Sequence, residues 1–99
     1  MNNSFLAHII LPDEFDAALY RLIPLQRKVI NELMEKQVVL SYSLDMDRKN
    51  IWAFISAKTE REVMDILSTF PIIRHVKISI HELAFHDAAP VNLPDLIMN

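Results

Sequence analysis

Four histidines, His8, His75, His81 and His86, are the groups in this chain that change charge near neutral pH and so can carry a proton. His8 lies in a short apolar run, Phe5 to Leu11, and His81 in an alternating run, His75 to Phe85. If those runs are neighbouring strands, His8 with Lys77 or His81 makes a general acid/base pair. The alternative is a hydrogen-bonded, half-buried His8 at a subunit seam. Tyr42 and Trp52 are candidate ligand-binding residues, Trp52 as an apolar wall. Lys77 or His81 would hold a ligand carboxylate. No metal site is expected, since zinc needs three or four converging ligands and the histidine spacing supplies no HxH or HxxxH pair. Ser41 and Ser43 alternate with apolar residues as in an ordinary strand and lack a nucleophile elbow. Asp13, Glu14 and Asp16 suit a helix N-terminus, where negative charge is favourable. Glu82 is either a desolvated carboxylate on a helix-facing side or the end of its strand.

These residues need elements to position them. Phe5 to Leu11 reads as a strand stopped by Pro12. Leu19, Leu22, Ile23, Gln26, Val29, Ile30, Leu33 and Met34 recur at three- and four-residue steps, a helical stripe. Pro24 interrupts it, so a short turn or loop is expected up to Ile23 and the main helix from Pro24 to Lys36. Gln37 to Asp45 alternates as a strand, with Val38, Leu40, Tyr42 and Leu44 on one side. Asp47-Arg48-Lys49-Asn50 is a polar turn, and Ile51 to Ser56 a third strand. Thr59 with Glu62 is a capping-box pattern ahead of a helix carrying Val63, Ile66, Leu67 and Phe70. His75 to Phe85 is the fourth strand, with Val76, Ile78 and Ile80 toward the helices.

The order is β-α-β-β-α-β, an α+β, ferredoxin-like plan with an antiparallel sheet. One domain is expected over residues 1–86. Residues 87–99 form a C-terminal arm that either frays or packs on a neighbouring subunit. In this plan the helices cover one sheet face. Lys77, Ser79 and His81 fall on the other, with either Trp52 and Phe54 or Ile51, Ala53 and Ile55. An apolar open face implies a partner, and a second copy closing the two sheets together is the expected one. A cavity between sheet and helices, or at the mouth of such a barrel, would admit a small ligand.

Composition narrows the classes. The 99 residues hold ten Lys and Arg against 13 Asp and Glu, a net charge of −3, which gives no electrostatic case for nucleic acid. Zero Gly excludes a Walker loop or a GxGxxG turn. Zero Cys excludes disulfides and thiolate chemistry and fits a reducing compartment, so a cytoplasmic location is expected. No apolar run nears the roughly 18 residues a membrane span needs, and the N-terminus lacks a basic signal-peptide start.

Ile66-Leu67-Ser68-Thr69-Phe70-Pro71-Ile72, followed by Val76, Ile78, Ile80, Leu83 and His86, is similar to the L-x-x-L/F-P-L/I segment and strand ending in L-x-x-H of the muconolactone isomerase family. The likeness spans about residues 5–86. It implies a dimeric α/β barrel and proton transfer on a small lactone or carboxylate without a cofactor, and of the polar family residues only His86 is matched cleanly. The candidates for that chemistry come from the strand placement above, His8 and His81 as catalytic and Tyr42, Trp52 and Lys77 as binding residues. The chain departs from the family where Gln26, Arg27 and Lys28 replace acidic residues and Leu40-Ser41-Tyr42-Ser43-Leu44 replaces basic and Trp residues. The alternative is therefore a non-enzymatic dimeric binding or accessory subunit with a degenerate pocket.

Overall fold

The computed structural model describes residues 2–89. It is an α+β domain with two helices and one four-stranded antiparallel sheet, compatible with the ferredoxin-like plan. The elements are β1 (Asn3–Ile10), α1 (Ala17–Glu35), β2 (Val39–Leu44), β3 (Asn50–Ala57), α2 (Glu60–Leu67), a 3₁₀ turn (Ile73–His75) and β4 (Lys77–Glu82). The strands lie in the order β2-β3-β1-β4, so β1 and β4 are neighbours. The arm expected over residues 87–99 lies, from residue 90 on, outside the described residues. Among the described residues no helix is long and apolar enough to cross a membrane.

Strand parity builds the core. Phe5, Ala7 and Ile9 of β1 and Ile51, Ala53, Ile55 and Ala57 of β3 are buried toward the helices. They meet Leu19 and Ile30 of α1, Val63 and Leu67 of α2, and Phe70 and Ile72 after it. Fully burying such a side chain contributes about 1.5–3 kcal/mol, so this layer dominates the stability. The choice left open for β3 is resolved: Ile51, Ala53 and Ile55 face inward, and Trp52 and Phe54 lie on the open face.

Four expectations are corrected. The second helix ends at Leu67, so Phe70, expected on it, lies just after it. The first helix begins at Ala17, not Pro24, and Pro24 lies inside it. Asp16 caps it, its carboxylate accepting the Leu19 N–H at 2.8 Å, and Leu19 is anchored in the core upstream of the proline. Proline removes one helical hydrogen bond, and packing on both sides of it keeps the helix continuous. The second strand does not keep simple alternation. Val39 pairs with Ile55 and Ser41 with Phe54, so Leu40 is an extra residue, a bulge. The bulge shifts parity: buried Val39 and Tyr42 share the helix-facing side while Leu40 is exposed. Finally, His75 belongs to the 3₁₀ turn, and β4 runs only from Lys77 to Glu82. Glu82 pairs with Phe5 but is exposed, as the end of its strand.

The Thr59 cap forms as expected, its hydroxyl accepting the Glu62 N–H at 3.1 Å. The return bond differs: Glu62 accepts from the backbone of Lys58, at 3.4 Å, rather than of Thr59. With zero glycine in the chain, two left-handed positions among the described residues fall to ordinary residues, Gln37 at φ 59° and Arg48 at φ 58°.

Candidate functional site

The sheet separates two groups of candidate residues. On the helix-facing side, a cavity of about 250 Å³ opens between α1 and the β2–β3 hairpin. One stripe of α1 lines it, from Leu19 through Ile23 to Gln26 and Arg27, with Phe15 just before the helix. Tyr42 and Leu44 of β2, Ile51 of β3, Leu11, Ile72 and Arg48 complete the wall. Tyr42 reaches it because the Leu40 bulge turns that side chain inward, opposite Ala53.

The polar end of the cavity is built by Gln26, a buried polar residue at 5% exposure. Its Oε1 accepts the Ile72 backbone N–H at 3.4 Å. Its Nε2 donates to the Tyr42 hydroxyl oxygen at 3.3 Å. Burial pushes the Tyr42 phenol above its ordinary value, opposed by smaller pulls from the Gln26 bond and the Arg27 charge. Tyr42 therefore stays protonated at neutral pH. Arg27 and Arg48 bring positive charge to the rim. Arg48 also borders an adjoining open cleft carrying Asp13, Glu14 and Asp47. Arg27 lines the cavity but not that cleft, so it is the less neutralised of the two.

The other four candidates, His8, Trp52, Lys77 and His81, lie on the open face. His8 pairs across strands with Trp52 on one side and Ser79 on the other. Its ring stacks on the Trp52 indole with centroids 5.4 Å apart and planes 7° from parallel. Lys77 and His81 sit opposite Ile10 and Leu6, so each is diagonal to His8 rather than facing it. His8 contacts Trp52, which faces it across the strands, and Asn50, which is diagonal to it on β3. His8 Nε2 is 2.8 Å from Asn50 Oδ1, and Asn50 Nδ2 donates to Asp45 at 2.9 Å. An ionised carboxylate only accepts, which turns the amide nitrogen toward Asp45 and the amide oxygen toward His8. His8 Nε2 is then the protonated nitrogen, and in the neutral ring Nδ1 keeps the free lone pair.

The five candidates do not form one site: the sheet divides Tyr42 from the rest. Sequence reasoning missed Gln26, Arg27, Arg48 and Phe15. Gln26 carried a signal, as the one polar residue in the apolar stripe of α1. His86, expected after the last strand, stacks on Phe54 with centroids 4.1 Å apart, so the chain beyond β4 covers part of the open face. Among the described residues no group of three His, Cys, Asp or Glu side chains converges as a metal site would require. No family model matches the chain, and no curated protein matches it either.

Proposed function

We propose that the chain is a small-molecule-binding protein similar to the muconolactone isomerases. Its cavity would take a small, flat, mainly apolar ligand with one anionic group. The observation that carries this reading is the 250 Å³ cavity itself, apolar except for Gln26, Tyr42 and two arginines. Arg27 faces the ligand's charge, and the acidic neighbours of Arg48 disfavour a second negative group. Among the described residues neither imidazole nor carboxylate lines the cavity, which favours a binding or accessory subunit over an enzyme.

The second reading is a cofactor-independent isomerase. The imidazole of His8, tied through Asn50 to a carboxylate and holding a free nitrogen, supports it. Two copies would close their open faces over each other as a dimeric α/β barrel, in a cytoplasmic protein as zero Cys suggests.

The test is an amide-resolved NMR titration with benzoate and with muconolactone. Shifts are expected at Leu19, Gln26, Tyr42 and Ile72. Arg27→Ala should weaken the carboxylate about 5- to 10-fold and Arg48→Ala less. No shift at those amides at millimolar ligand would remove the binding reading. Turnover of muconolactone in an ultraviolet assay, lost in His8→Ala, would favour the isomerase instead.

A further inference from the structure

Beyond the cavity's overall chemistry, its polar end carries hydrogens that the protein does not use. The Ile72 backbone N–H can only donate, so the Gln26 amide must present Oε1 to it. Nε2 then faces Tyr42 and donates to its hydroxyl oxygen. With that oxygen accepting from Gln26, the phenolic hydrogen must go elsewhere, and no protein acceptor takes it among the described residues. The second hydrogen on Gln26 Nε2 is in the same position. Both residues line the cavity, and Gln26 is more than nine-tenths buried. Tyr42 is half-buried, and a ligand oxygen placed against this pair would gain two hydrogen bonds.

We infer that Tyr42 and Gln26 form a two-donor clamp for a neutral carbonyl oxygen at the inner end of the ligand. Two neutral donors in an apolar wall suit a carbonyl better than a carboxylate, whose charge would be desolvated there. The charged end belongs at the rim with Arg27. The clamp selects against ligands that place a hydrocarbon or a donor-only group at that end, since these leave both hydrogens unmet. The inference rests on the reading that the cavity binds a ligand.

The probes are 4-acetylbenzoate and 4-ethylbenzoate, which share the carboxylate and nearly the same shape but differ in the inner oxygen. Affinities come from calorimetry, and the acetyl C=O stretch is followed by infrared spectroscopy. The wild-type protein should bind the acetyl compound more tightly, with its C=O stretch lowered. In Tyr42→Phe the acetyl-to-ethyl affinity ratio should fall about 10-fold, with 4-ethylbenzoate binding retained and most of the spectral shift lost. Gln26→Met should lower the ratio in the same direction. If it fails to fold, Tyr42→Phe decides alone. Equal binding of both probes, or a ratio unchanged in Tyr42→Phe, overturns the clamp while leaving the cavity as a binding site. Binding of neither probe removes the binding reading and the clamp together.

Discussion

Asp45 holds the β2–β3 hairpin closed. Its carboxylate accepts the backbone N–H of Lys49 at 2.8 Å and of Asn50 at 3.0 Å, and the Asn50 side chain at 2.9 Å. The Asn50 side-chain bond is the largest of the causes that hold its pKa below the ordinary carboxylate value. A depressed folded-state pKa adds stability above the unfolded value of about 3.9, lost as pH falls through the folded value. Asp45→Asn should lower the urea midpoint at pH 7 and flatten the loss of stability below about pH 4. An unchanged acid profile would show that Asp45 contributes nothing through its charge. At this scale the sequence was only partly informative. Gln26 was visible as a polar intruder in an apolar stripe, but its bonds to Tyr42 and Ile72 join residues 16 and 46 positions away. Periodicity within one element does not encode such partners.

The elements were more legible, because each repeats its signal over several residues. Thr59 and Glu62, the stripe of α2 and the alternation of β3 all follow from local rules. The departures come from tertiary packing overriding a local preference, as at Pro24, from the single added residue at Leu40, and from the 3₁₀ turn that takes His75 out of β4. The end of α1 shows a further local cost. Val38 N–H bonds Leu33 C=O at 2.9 Å and Gln37 N–H bonds Met34 C=O at 3.0 Å, a Schellman closure that puts Gln37 in the left-handed region. Glycine is the residue that adopts this conformation without steric strain. Gln37→Gly should raise stability by about 0.5–1 kcal/mol, measured by urea denaturation, the relief of strain exceeding glycine's larger unfolded-state entropy. A loss of stability would show that the Gln37 side chain contributes more than its backbone costs.

For the whole molecule, strand count and helix spacing sufficed to place the architecture, while the contents of the open face depended on a choice of parity in β3 that alternation left undecided. Leu6, Ile10, Trp52 and Phe54 share that face, with Ile10 at 39% and Trp52 at 36% exposure. His86 lies over Phe54, so the apolar surface left for a second copy centres on β1 and Trp52. Light scattering at micromolar concentration should give a dimer, and Ile10→Glu, folded by circular dichroism, a monomer. A wild-type monomer would discard the barrel assembly and leave the cavity reading untouched.

The hydrogen bonds around Asn50 tie the two surfaces of the sheet at one corner. The loop carrying Arg48, at the rim of the cavity, is braced by Asp45, whose backbone carbonyl accepts the Arg48 N–H at 3.1 Å. The same aspartate grips the amide that grips His8 on the reverse side. A neighbour pressed against Trp52 and the imidazole stacked on it would therefore load the same aspartate that fixes the arginine's loop, so what covers one side of the sheet bears on the mouth of the other.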